Sequence, residues 1–237
     1  MNEFADEIAV IPKPRDMKQN EGFLTFTDKI PVYYSQNSYC PIIDIFQQDI
    51  STLFAIPFLK ITPILSEKDK RKAPGIHLFE QDELEKEHYK IIVEENVIIT
   101  ASSYVGFLRA FTTLSQMVVK GQKSIKCPKV MIEDYPYAEY RGVLIDVARK
   151  PHSIATLKQV IEILRWYKIN YLHLHLTDDQ AFTFPSGAFP QLITEDQHYT
   201  EPELINLVEY ARIRGVIIVP EIDLPGHSRA MVQSMPD

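Results

Sequence analysis

Two imidazoles spaced two positions apart, followed at once by two carboxylates, form the densest cluster of reactive groups in the chain: His173-Leu174-His175-Leu176-Thr177-Asp178-Asp179. Read with the period of a strand, Leu172, Leu174 and Leu176 turn to one face and His173, His175 and Thr177 to the other. The leucine face suits helices, and the imidazole face is left for polar work. Asp178 and Asp179 fall where the strand runs out, and catalytic groups collect at the carboxyl ends of parallel strands. Two further strand ends are built alike: Asp146 and Arg149 follow Val143–Val147, and Glu221, Asp223 and His227 follow Val216–Val219. On one edge of a parallel sheet these groups would converge, and carboxylates beside imidazoles and a guanidinium are the equipment of acid–base chemistry and polar ligand recognition.

Each group also has a plain structural reading. Asp146 can pair with a nearby arginine, Glu221 can hold a buried ion pair, and Asp223 can cap the next helix. His173-x-His175 admits a metal reading, in which a barrel hydrolase takes two ligands from one strand and more from later strand ends. The alternative is that both imidazoles fill the interior and hydrogen-bond to neighbouring strands. Other chemistries lack their motifs: the eight glycines form no G-x-G-x-x-G phosphate loop, and Ser103 and Ser153 lack a G-x-S-x-G setting. Trp166, between Arg165 and Tyr167, reads as core.

The elements that must position these groups fall into two halves. Residues 1–135 read as a small α+β domain. Its expected strands are Ile8–Ile11, Ile30–Tyr34 and Gly75–Phe79, then His88–Glu94 and Val97–Ala101 around a two-residue turn, Glu95-Asn96. A helix follows, with Phe107, Phe111, Leu114 and Val118 at helical spacing. Ile132–Tyr137 reads as the linker. Residues 136–237 alternate strand and helix, an α/β pattern with a parallel sheet that is either open or the start of a barrel. Val143–Val147 is expected as a buried strand. Ser153 should cap a helix with Leu157, Val160, Ile161 and Leu164 inside. Thr200 and Glu203 read as a capping box, with Leu204, Leu207, Val208 and Ala211 as the stripe and Gly215 as the stop.

Composition bounds the partners. Hydrophobic residues make up 45% of the 237 and charged ones 24%, as in a globular protein with a sizeable core. The net charge of −7, with no basic cluster, argues against nucleic acid and anionic membranes. Cys40 and Cys127 are too few for a disulfide framework. The acidic start, without an apolar stretch, predicts a cytoplasmic location.

Three stretches together resemble the opening of the family 20 β-N-acetylhexosaminidases: Tyr140-Arg141-Gly142-Val143-Leu144-Ile145-Asp146-Val147-Ala148-Arg149, His173-Leu174-His175-Leu176-Thr177-Asp178-Asp179-Gln180, and Val219-Pro220-Glu221-Ile222-Asp223-Leu224-Pro225-Gly226-His227. Residues Tyr89–Val118 resemble part of the small domain that precedes the barrel in that family. The resemblance implies a (β/α)8 TIM barrel, of which about three βα units lie here, and a glycan substrate ending in N-acetylhexosamine. It implies substrate-assisted hydrolysis with retention and no cofactor. Arg149 would bind sugar hydroxyls, and Asp178 with His227 would orient the general acid. Asp146, His175, Asp179, Glu221 and Asp223 would support the same rim.

The chain also departs from that family. The family's Asp-Glu pair belongs at the end of a fourth strand, whereas the Asp-Glu dipeptides here are Asp6-Glu7 and Asp82-Glu83, both in the first half. Lys150-Pro151 and Leu174 stand where the family often has other residues, and its pocket tryptophans are missing. A barrel needs about 250 residues, against about a hundred after residue 135. The expectation is therefore a fragment, inactive alone, whose open sheet edge favours self-association. Two other functions stay open: a non-catalytic carbohydrate-binding or assembly module, and a metal-dependent barrel hydrolase using His173 and His175.

Overall fold

The computed structural model describes residues 8–55, 60–66 and 73–235, which divide into two compact units, Met1–Tyr137 and Ala138–Asp237. Among the described residues no helix is long and apolar enough to cross a membrane.

The first unit contains strands β1 (Asp16–Phe26), β2 (Lys29–Tyr34), β3 (Lys60–Leu65), β4 (Ile76–Glu80), β5 (Tyr89–Val93), β6 (Val97–Ala101), β7 (Val119–Lys120) and β8 (Ile125–Asp134). They form one sheet in the order β1-β8-β5-β6-β4-β2-β3, with β7 against β8. Helices α1 (Cys40–Phe54) and α2 (Tyr104–Met117) complete the unit. The alternation of β5 and β6 explains the layering: Tyr89, Ile91, Val93, Val97, Ile99 and Ala101 are all buried, in one core with Phe107, Phe111 and Leu114 of α2. Ser103 caps α2 by accepting from the Gly106 N–H.

Several expectations for this half are corrected. Ile8–Ile11 is not a strand: the Gln116 side-chain amide takes both backbone groups of Ile11, donating to its carbonyl and accepting from its N–H (3.0 and 2.8 Å). The β5–β6 connection is three residues, because Val93 pairs with Val97 and Glu94 lies outside the ladder. Strand β8 runs on to Asp134, so Ile132–Asp134 belongs to the sheet rather than to a linker. Helix α1, unassigned from sequence, buries Ile42, Ile43, Ile45, Phe46 and Ile50.

The second unit has three parallel strands, β9 (Gly142–Asp146), β10 (Tyr171–His175) and β11 (Ile217–Glu221), in the order β11-β10-β9. Helices α3 (Ile154–Trp166) and α4 (Glu201–Arg212) carry the intervening chain, and a short α5 (Arg229–Ser234) ends it. Leu172, Leu174 and Leu176 are buried with Leu157, Ile161, Leu164, Leu207 and Ala211 in one core, as the leucine face of β10 predicts. Both helix starts are capped as read: Ser153 accepts from the Thr156 N–H, and Thr200 with Glu203 forms the full capping box. Glu162 of α3 ties the helices together, accepting from Tyr210 Oη (2.6 Å), Arg165 Nε (3.0 Å) and Arg214 Nε (2.5 Å).

Three packing expectations change here. Strand β9 is not buried: Val143 and Leu144 are 36% and 53% exposed, since β9 ends the sheet and its outer edge has no strand partner among the described residues. Val208, placed on the buried stripe of α4, is exposed. Trp166 is only partly buried, with the Arg165 guanidinium 5.1 Å from its ring.

Because Trp166 is the sole tryptophan and lies in the second unit, its fluorescence reports that unit's unfolding. Leu172→Ala is expected to lower stability by about 2–5 kcal/mol, read as a reduced denaturant midpoint. An unchanged midpoint would contradict a core organised on the leucine face of β10.

Candidate active site

The parallel register sets Asp146, His175 and Glu221 side by side at the carboxyl ends of β9, β10 and β11. Residues paired in register share a face, so this row lies opposite the buried Leu172 and Leu174. The remaining rim residues sit in the loops that leave these three strand ends.

Asp146 organises the loop after β9. Its Oδ1 accepts from the backbone N–H groups of Ala148 and Arg149 (3.1 and 2.9 Å), and its Oδ2 accepts from Arg149 Nη1 (2.6 Å). The other arm of the fork, Arg149 Nη2, reaches Asp178 Oδ2 at 2.7 Å. The guanidinium thus bridges two loops, with 48% of its side chain exposed. The loop after β10 closes on itself: Asp178 N–H donates to Ala181 O, and Thr183 donates to Leu176 O from both its N–H and its hydroxyl. This holds the Asp178 carboxylate 2% exposed, with Oδ1 on the Asp179 N–H (2.6 Å) and Oδ2 on His175 Nε2 (2.8 Å).

His175 and Glu221 extend this chain of contacts. His175 Nδ1 lies 3.0 Å from Glu221 Oε1, and Glu221 Oε2 lies 2.5 Å from His173 Nε2. The Thr177 hydroxyl, fully buried, accepts from the Asp223 N–H (3.0 Å) and ties the third loop to the second. Asp223 Oδ2 lies 2.8 Å from His227 Nδ1, and the His227 ring meets that of His175 edge-on, centroids 5.4 Å apart.

Electrostatics follow from these contacts. Burial pushes the Asp178 carboxyl up, but the His175 hydrogen bond, the Asp179 N–H and the charges of Arg149 and His227 outweigh it and hold it below the usual aspartate range. Asp146 behaves alike: burial raises it, and the Arg149 N–H and guanidinium bring it below its ordinary value. His175 moves the other way. Burial would depress its imidazolium, yet Asp178, Glu221 and Asp146 raise it.

Seven residues named from the sequence are therefore joined: Asp146, Arg149, Asp178, His175, Glu221, Asp223 and His227. His227 hydrogen-bonds to Asp223 and His175 to Asp178, while side-chain atoms of Asp178, His175 and His227 all lie within 4.8 Å of one another. Asp179 joins through its backbone N–H on Asp178 Oδ1, while its exposed side chain accepts the Arg229 N–H at the start of α5 (3.2 Å). Asp223 does not cap that helix, whose N-cap position is Ser228. His173, the second imidazole of the metal reading, is absent from the groups of His and carboxylate atoms that converge within 4.8 Å among the described residues. It turns to Glu221 instead. Sequence reasoning missed Thr177 as the tie between loops and His173 as the partner of Glu221. Both lie on the polar face by period-two alternation, but only strand register shows what they meet. A separate cleft of about 280 Å³, lined by Val147, His152, Ser153, Thr183 and Tyr199 among others, contains none of the seven.

The clamp makes a pH prediction. Asp146 and Asp178 bind protons less readily folded than unfolded, so they stabilise the fold above the ordinary aspartate value of about 3.9. That contribution is lost as pH falls through their lowered folded values. The denaturant midpoint read by Trp166 should fall on acidification below about pH 4, and less steeply in Asp178→Asn. An equal slope in both would count against the clamp.

Residues 7–135 match the profile described as glycosyl hydrolase family 20, domain 2, and residues 138–237 match that family's catalytic domain. The chain is 34% identical over 176 residues to a beta-hexosaminidase of Vibrio furnissii, a match covering 65% of this chain and 29% of that protein. It is 37% identical over 163 residues to a beta-N-acetylhexosaminidase of Cellulomonas fimi, covering 64% of this chain and 33% of that one. Among solved structures, a chitobiase of Flavobacterium johnsoniae superposes with a TM-score of 0.82 at 28% identity, over 96% of this chain and 36% of its own. A beta-N-acetylhexosaminidase of Bacteroides fragilis superposes with a TM-score of 0.83 at 25% identity, over 97% of this chain and 48% of its own. The matched stretch is thus about a third or less of the length of these curated relatives. With both of its units matched, the chain belongs to glycosyl hydrolase family 20.

Proposed function

We propose that this chain carries part of the sugar-recognition rim of a β-N-acetylhexosaminidase, which removes terminal N-acetylhexosamine residues from a glycan. The observation that carries this reading is the Arg149 guanidinium, fastened by Asp146 and Asp178 while half its side chain stays exposed. A guanidinium has five N–H donors in a rigid fork. Fixing two of them on buried or half-buried carboxylates sets the direction of the rest, a suitable donor array for vicinal sugar hydroxyls. The neighbouring Asp178, held ionised, keeps the fork charged and in place.

The reaction proposed is substrate-assisted hydrolysis with retention. The acetamido oxygen of the bound sugar attacks the anomeric carbon while an acid protonates the leaving oxygen, and water then opens the cyclic intermediate. That acid and the carboxylate stabilising the intermediate are not assigned to any residue of this chain: its Asp-Glu dipeptides, Asp6-Glu7 and Asp82-Glu83, both lie in the first unit. What the residues of the second unit contribute is grip and orientation.

Two outcomes are expected. The 237-residue polypeptide should show no turnover of an aryl N-acetyl-β-glucosaminide, and a turnover that persists in Arg149→Ala would sink the proposal. In calorimetric or NMR titration with N-acetylglucosamine, Arg149→Ala should weaken binding about 10–100-fold, the scale of lost hydrogen bonds to a charged group. Equal affinity in both proteins would remove Arg149 from the sugar site.

A further inference from the structure

His175 is in contact with a carboxylate at each of its two ring nitrogens, Asp178 Oδ2 at Nε2 and Glu221 Oε1 at Nδ1, 2.8 and 3.0 Å away. A neutral imidazole has one N–H and one lone pair, and an ionised carboxylate only accepts. Both contacts can be hydrogen bonds only if His175 carries two protons or one of the carboxyls carries one. The surroundings decide where that proton sits. Asp178 already receives Arg149 Nη2 and the Asp179 N–H, leaving a carboxyl proton poorly placed. Glu221 has an imidazole nitrogen at each oxygen, His175 at Oε1 and His173 at Oε2, and an imidazole takes up a proton more readily than a carboxylate does.

We propose that Glu221 is a positioning residue that holds His175 as an imidazolium between two carboxylates, so that Asp178 Oδ2 is shared by two cations, His175 and Arg149, and keeps the Arg149 fork aligned. The proposal rests on the sugar-binding reading only for the purpose of the alignment. The charge state itself follows from the contacts.

Charged and titratable groups reach His175 from every strand end. From β9 come Asp146, in register with His175, and Arg149, which reaches Asp178. The loop after β10 brings Asp178 itself. From β11 and its loop come Glu221, Asp223 and His227. Four carboxylates and one permanent cation make a surplus of negative charge that an imidazolium reduces. Two imidazoles would oppose it if they were charged: His227, whose Nδ1 faces Asp223, and His173, which shares Glu221. Burial also opposes the charge, since His175 is 5% exposed, and a buried cation needs well-placed partners. Glu221 supplies one that Asp178 alone cannot, because Asp178 is shared with Arg149. By occupying Nδ1 it also turns Nε2–H towards Asp178.

The test is ¹⁵N NMR of the imidazole rings in the 237-residue chain, with the His175 signals identified by their loss in His175→Gln. Both ring nitrogens of His175 should show the protonated signature at pH values above the ordinary histidine midpoint of about 6.5. In Glu221→Gln the midpoint should fall, and affinity for N-acetylglucosamine should weaken several-fold. A His175 in the wild-type chain that is neutral at pH 7, or titrates at or below 6.5, overturns the proposal and needs no variant to fold. The stability readout has a defined sign: a raised imidazolium stabilises below the unfolded value and loses that contribution as pH rises through the folded one. Failure of the two readings is separable. A chain that binds no sugar but keeps the imidazolium defeats the hexosaminidase reading alone, whereas one that binds sugar with a neutral His175 defeats this one.

Discussion

The register between β9, β10 and β11 is the constraint on which the second unit turns. It places Asp146, His175 and Glu221 in one row and Leu172 and Leu174 on the opposite, buried face. Strand side chains alternate with a period of two, so slipping β10 by one residue would exchange the two sets. His173 and His175 would then face α3 and α4, and the leucines would meet Asp146 and Glu221. The burial of three leucines therefore selects the alignment that the polar network needs. Stability and chemistry are specified by the same strand, through opposite faces.

The network itself alternates in sign: Asp146, Arg149, Asp178, His175, Glu221. Such an order matters more inside a protein than in water, because charges a few ångströms apart interact strongly where solvent is sparse. A lone buried carboxylate at the position of Asp178 would take up a proton or draw in water. Flanked by a guanidinium and an imidazole, it can remain an anion while almost wholly buried. The most exposed of the five is Arg149, with 48% of its side chain exposed, and the two carboxylates that hold it are 23% and 2% exposed. That gradient suits recognition, since the group that meets a ligand is oriented by groups the ligand never touches.

Much of this is legible in the sequence. The alternation of β10, the caps at Ser153 and Thr200, and three polar strand ends are local features written in consecutive residues. What was not legible depends on distance along the chain. Helix α1 begins with Cys40-Pro41 and is rich in isoleucine, so its periodicity competes with a strand reading. The Ile8–Ile11 run looks like a strand, but its outcome was decided by Gln116, about a hundred residues away. The choice of His227 for Asp223, and of Asp178 for His175, is again geometric. The exposure of Leu144 and Val143 could not be inferred from their hydrophobicity, because apolar residues on an end strand bury only what neighbours cover.

The polar face of the sheet is graded from one end to the other. The row at the carboxyl end is Asp146, His175 and Glu221, the next inward is Leu144, His173 and Val219, and the next is Gly142, Tyr171 and Ile217. Polar groups thus give way to apolar ones within two rows, and His173 is the one titratable side chain in the second. Its position is what allows Glu221 to use both oxygens: Oε1 stays in its own row for His175, while Oε2 drops one row to His173. A carboxylate held at two points has less rotational freedom than one held at a single point, and it loses less entropy when it orders its neighbours. His173, whose spacing from His175 admits a metal reading, thereby acts as an anchor for the carboxylate beside His175.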